Sequence, residues 1–167
     1  RIVGRSVFND TPEKEVAEAV WGCFTCGLCE RRCPAGVKYA TLQQGLRRRA
    51  RAEGETCRCT HGGSLLSLMR IHANADLTQN RLDWIPEDAE VAEEGDTVLF
   101  TGCAPYFDAF FSHMKVKTLD ATKGALTLMN AMGIKPVVMP DEVCCGHNLL
   151  WSGDRENFER LAKKNLE

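Results

Sequence analysis

Four cysteines stand close together in the run Trp21-Gly22-Cys23-Phe24-Thr25-Cys26-Gly27-Leu28-Cys29-Glu30-Arg31-Arg32-Cys33-Pro34. The spacing C-x2-C-x2-C-x3-C-P suits a loop wrapped around a cubane [4Fe–4S] cluster. Two-residue spacers let three thiolates close on one cube while backbone N–H groups of the loop turn toward its sulfurs. Pro34 then bends the chain away, so the thiolate of Cys33 can close this cluster or serve another one. Structural zinc also takes C-x2-C pairs, but usually spaces the two pairs more widely. Cys23, Cys26, Cys29 and Cys33 are therefore expected to be iron ligands.

A second constellation is scattered along the chain. Cys103 follows the β-rich run Thr97 to Thr101, and Cys144-Cys145-Gly146-His147 follows a second such run, Lys135 to Met139. Open α/β sheets bind ligands beyond the carboxyl ends of their strands, so these two loops should meet. Adjacent cysteines make only a strained disulfide, and metal explains the pair better. Cys103, Cys144 and Cys145 are thus expected to form a catalytic, metal-binding set. Gly102 and Gly146 suit close backbone approach. His147 is a candidate ligand or acid and equally a helix-entry residue. Tyr106 and Asp108 fit a solvated loop better than a proton relay. Cys57 and Cys59 read as ordinary thiols, an added ligand or a redox-active pair, while His61, His72 and His113 carry no signal of their own.

The elements that must position these residues follow from pattern. Thr11-Pro12-Glu13 opens a helix to about Trp21. A helix fits 39–53, with Leu42 and Leu46 on one face and Gly54 as its stop. Another fits 64–73. Residues 74–96 carry many acids and no base between Asp83 and Asp96, and read as a polar linker. Then come the strand at 97–101, a helix over 118–132 ended by Gly133, the strand at 135–139 closed by Pro140, and a helix from about Gly153. That order is a βαβ unit with parallel strands. The expected class is α+β: a small helical domain over 1–73, the acidic linker, and an α/β cysteine-rich domain over 97–167.

Composition sets the outer limits. The chain has 167 residues, 44% of them hydrophobic and 26% charged, and a net charge of −2, which gives no general pull toward nucleic acid or anionic membrane. No apolar run approaches the roughly 20 residues of a spanning helix. Nine cysteines, an odd and clustered set without a signal-peptide pattern, indicate metal in a reducing compartment, so a cytoplasmic location is expected. Arg31, Arg32, Lys38, Arg47, Arg48, Arg49, Arg51 and Arg58 crowd the first half, where cations would favour a reduced, anionic cluster. Arg1 is not an initiator methionine, and the helix from Asp154 has no stop signal before Glu167. A stretch of a longer chain is expected.

Taken together, these motifs resemble heterodisulfide reductase-type iron–sulfur subunits, in which a helical ferredoxin-like domain precedes cysteine-rich CCG domains. Trp21 to Val37 resembles the second cubane motif of that domain. Gly102-Cys103 and Val143 to His147 resemble the first part of a CCG motif. The family's first cubane motif and the closing C-x-x-C of its CCG pattern have no counterpart among the 167 residues. The resemblance implies an electron-transfer subunit, passing electrons from a cubane cluster to a CCG-bound group that reduces a disulfide. It implies partners among the flavin or iron–sulfur subunits of a redox complex. Members differ in holding a noncubane [4Fe–4S] cluster or zinc in the CCG domain. With zinc, the chain would be a non-catalytic electron wire and assembly subunit.

Overall fold

The computed structural model describes residues 20–57 and 61–167. The helix expected from Thr11 lies outside them except for Val20 and Trp21, which are helical. The described residues form α1 (Leu28–Arg31), α2 (Tyr39–Ala52), α3 (Ser64–His72), α4 (Ala104–Phe110), α5 (Thr118–Ala131), α6 (His147–Trp151) and α7 (Arg155–Leu166), with a 3-10 turn at Ser112–Met114. They fall within two compact units, Arg1–Arg70 with Gly146–Glu159, and Ile71–Cys145 with Arg160–Glu167.

In the first unit α2 carries the loop chemistry. Its buried face is Gln43, Arg47 and Ala50, while Leu42 and Leu46 are only half-buried. A polar face is buried there because it has acceptors to satisfy. Gln43 Nε2 and Arg47 both donate to the carbonyl of Val20. Gly54 ends α2 at φ 88°, a left-handed value that glycine adopts at little cost, and Glu55 N–H returns to Ala50 O at 2.9 Å.

In the second unit Trp84, Leu126 and Val138 form a buried cluster, covered by Ile85, Ala89, Leu99 and Leu119. Residues 74–96 therefore supply Trp84, and also Arg81, to the interior, although their acids remain largely exposed. The expected βαβ arrangement is not formed as strands. Among the described residues the pairing shrinks to isolated parallel bridges, Val98 with Val137 and Ala92 with Val137. The register has real hydrogen bonds, Leu99 N to Val137 O at 2.9 Å and Val137 N to Thr97 O at 2.8 Å. It does not extend to Thr101, whose N–H donates to Glu142 Oε2 at 2.9 Å instead of continuing the register. The helix between the paired segments, α5, forms as expected, and Asp108 caps it by accepting Leu119 N–H at 3.0 Å.

Candidate metal centres

The first thiol set lies on a loop built from left-handed turns. Thr25 has φ 55° and Gly27 φ 74°, and Gly27 starts α1, which carries Cys29. Two amides of this stretch reach sulfur: Thr25 N–H donates to Cys23 Sγ and Val37 N–H to Cys33 Sγ, each at 3.4 Å. Cys26 and Cys29 are exposed; Cys23 and Cys33 are half-buried. Glu30 ties the far side of the loop to α2 by accepting Ala40 N–H at 3.0 Å, and the hydrogen bond from Ala40 is the first reason its carboxyl stays below the usual range. The Tyr39 phenol is raised, first by burial and then by the charges of Cys23 and Cys29.

Arg47 is the clamp of this loop. It donates to Val20 O, to Cys23 O at 2.6 Å and to Trp151 O at 2.9 Å, and its Cζ lies 5.4 Å from the Trp21 ring centre. Burial draws its pKa down, while the thiols of Cys23 and Cys57 oppose that shift. Cys57, Cys23, His61 and Arg47 line one open cavity of about 360 Å³. Cys59 and Arg58 lie outside the described residues. Of the other cations expected to surround a cluster, Arg51 pairs with Asp154 at 3.0 Å and Arg49 with Glu53 at 3.1 Å.

The second set is organised by one buried carboxylate. Glu142, two residues before Cys144, accepts Thr101 N–H at 2.9 Å, the Thr101 hydroxyl at 2.7 Å, Gly102 N–H at 2.5 Å and Arg81 Nη2 at 2.7 Å. It thereby pins the turn before Cys103 to the loop that carries Cys144. Gly102 sits at φ 56°, and Cys103 follows as the N-cap of α4. Cys144 is fully buried and held from both sides of its peptide. Its N–H donates to His72 Nδ1 at 3.1 Å, and its carbonyl accepts Asn165 Nδ2 at 3.3 Å. The result is a hydrogen bond between the Cys103 and Cys144 side chains. It pushes the Cys103 thiol far above its ordinary range, helped by burial and by the charges of Cys144 and Cys145, with Arg81 pulling the other way.

Residues 97–167 match the model of a cysteine-rich domain, CCG, over their full length. This segment is a CCG domain. The charges of Cys144 and Cys145 oppose ionisation of the Cys103 thiol. A bound cation would supply the missing countercharge, and soft thiolates select iron–sulfur groups or zinc. That donor chemistry fits a thiolate-bound metal at Cys103 and Cys144. Cys145 is exposed beside them. Among the described residues no three Cys, His, Asp or Glu side chains are already gathered as a metal site. The loop at Cys23 to Cys33 fits a cluster through its amides directed at sulfur and its accessible thiols.

His72, outside the matched segment, carried no signal in the sequence. His72 is fully buried, and burial first, then Arg81 and Lys164, bring its pKa down to about 4, so its ring is neutral at pH 7. Tyr106, expected on a solvated loop, instead lies on α4 between two partners: the His72 ring at 4.2 Å and Arg81 Cζ at 5.3 Å. Its hydroxyl donates to Gln79 Oε1. His147 is exposed on the first turn of α6, 6.3 Å from the Trp151 ring.

The whole chain is similar to one component of the dihydromethanophenazine:CoB–CoM heterodisulfide reductase of Methanosarcina acetivorans, 27% identical across 100% of this chain and 40% of the relative. An uncharacterised iron–sulfur protein of Methanococcus maripaludis is 26% identical over 95% of this chain and 31% of its own length. A probable glycolate oxidase iron–sulfur subunit of Bacillus subtilis is 24% identical over 93% and 43%. The chain thus spans about two fifths of the length of its heterodisulfide reductase relatives. No solved structure gives a significant match. No helix among the described residues is long and apolar enough to cross a membrane.

Proposed function

We propose that this chain is the iron–sulfur electron-transfer part of a heterodisulfide reductase-like oxidoreductase complex working in the cytoplasm. In this reading Cys23, Cys26, Cys29 and Cys33 are ligands for cubane clusters, and Cys103, Cys144 and Cys145 hold a noncubane [4Fe–4S] cluster. Bound there, the clusters supply one-electron redox steps. The overall reaction is reductive cleavage of a disulfide, in which two electrons and two protons convert one S–S bond into two thiols. The electrons come from a flavin or iron–sulfur partner protein, entering at the first thiol set and leaving at the second.

The protein's own residues do the holding. Arg47 fixes the entry to the first loop through Val20 O and Cys23 O. Glu142 and Arg81 join the two loops of the CCG domain, and His72 and Asn165 fix the Cys144 peptide. The observation that carries the reading is the pairing of Cys103 with Cys144, residues 41 positions apart that bond inside a matched CCG domain. The names of the heterodisulfide reductase relatives support the disulfide as acceptor. Cys144→Ala in the full-length protein tests it. The cubane spectrum is expected to persist while disulfide reduction is lost, and retained turnover would remove the CCG domain from the reaction.

A further inference from the structure

Four side-chain N–H donors in the second unit are buried and have no hydrogen-bond partner among the described residues: Trp84 Nε1, which belongs to the apolar cluster, and His72 Nε2, Arg81 Nε and Arg81 Nη1. Each such orphan costs about 1–3 kcal/mol, and more on a charged group. Native interiors rarely tolerate one without a use for it.

The last three are not scattered. His72 Nδ1 accepts the Cys144 N–H, which leaves the ring proton on Nε2. Arg81 Nη2 is spent on Gly102 O at 2.5 Å, Thr101 Oγ1 at 3.1 Å and Glu142, so the guanidinium is anchored to the residue preceding Cys103. Both side chains flank the ring of Tyr106, three residues past Cys103. One orphan donor group is thus tethered to each of the two bonded cysteines. Arg81 is already neutralised by Glu142 at 2.7 Å, so its remaining N–H groups have no carboxylate left to serve.

We propose that His72 and Arg81 are hydrogen-bond donors to the sulfur of the anionic group held at Cys103, Cys144 and Cys145, and that they set the potential at which that group accepts an electron. The inference rests on the reading above in one respect, that the CCG domain holds a redox-active, sulfur-rich group. Donors aimed at cluster sulfur favour the state with more negative charge, which is the reduced one, and so raise the potential. The donors must be N–H groups, since the Cys144 amide already occupies the acceptor side of His72.

The test is a redox titration of the full-length protein, following the spin signal of the CCG site in four forms: wild type, His72→Phe, His72→Gln and Arg81→Lys. His72→Phe and Arg81→Lys are expected to shift the midpoint to more negative potential, each by a tenfold change or more in the reduction equilibrium, about 59 mV for a one-electron couple. His72→Gln, which keeps an N–H donor and a carbonyl acceptor, should restore most of the wild-type value. The first cubane signal should not move in any of them. If the CCG signal is present with an unchanged midpoint in His72→Gln and Arg81→Lys alike and in His72→Phe, the inference falls and the proposed function stands. If wild type has no redox-active signal at the CCG site, both fall together. Should His72→Phe fail to fold, a midpoint in Arg81→Lys equal to that of wild type overturns the inference on its own.

Discussion

Asp154 and Glu142 are both buried acids surrounded by donors, and each holds two segments of backbone together. Asp154 accepts Arg70 Nε at 2.8 Å, Arg51 Nη2 at 3.0 Å and Asn157 Nδ2 at 3.0 Å. Burial would raise its carboxyl, but the hydrogen bonds from Arg70 and Asn157 and the charges of Arg51 and Arg70 win and hold it low. A folded-state value below the unfolded one means stability that is present above the ordinary carboxylate range and lost as pH falls through the folded value. Asp154→Asn should therefore cost about 1.5–3 kcal/mol at pH 7, the scale of a hydrogen bond to a charged group. The gap to wild type should close as unfolding is measured at successively lower acid pH. A constant gap across that series would show that charge is not what Asp154 contributes. At this scale the cysteines proposed as ligands stood out in the sequence, because thiols at fixed spacing have few other uses. The residues that position them were not. Glu142 is one acid among many in the chain, Arg81 sits in a stretch dominated by acids, and His72 had no neighbour in sequence to mark it. Their roles come from burial and pairing across about 20 to 70 residues, which spacing does not encode.

Helix boundaries were largely legible from their stops. Gly54 and Gly133 close α2 and α5 at positive φ, and Tyr39 and Thr118 open them where pattern placed them. The short helices α1, α4 and α6 were not, since four to seven residues leave no period to read. The buried face of α2 was misplaced for a physical reason: Gln43 and Arg47 are polar, and only their carbonyl partners make burying them favourable. One glycine outside the helices makes the sharpest prediction for an element. Gly153, at φ 79° between α6 and α7, lies so close to α2 that an added Cβ would sit 2.7 Å from Arg47 O and 2.9 Å from Arg48 N. Neither is the end of a flexible side chain. Gly153→Ala should destabilise the protein by about 2–4 kcal/mol, combining overpacking with the strain of a left-handed alanine. Thermal unfolding would reveal this as a lowered Tm, and an unchanged Tm would mean that α2 is free to move away.

Over the whole molecule, each compact unit contains one complete thiol set, Cys23 to Cys33 in one and Cys103, Cys144 and Cys145 in the other. The two thiol sets are also separate clusters in the sequence, although the units do not follow the expected bounds: Gly146–Glu159 belongs to the first and residues 74–96 to the second. The expected parallel pairing of the two runs forms only as a single bridge, Val98 with Val137, because Thr101 N–H goes to Glu142 instead of continuing the register. Cys103 and Cys144 nevertheless meet, their loops joined by Glu142 and Arg81. The central claim is that both sets hold iron and sulfide. Iron, acid-labile sulfide and zinc per chain, measured on the anaerobically isolated full-length protein, test it most directly. Iron and sulfide beyond what cubane clusters alone would give, with no zinc, are expected. About one zinc beside cubane-level iron would contradict it, since zinc is redox-silent and would take the CCG domain out of the electron path.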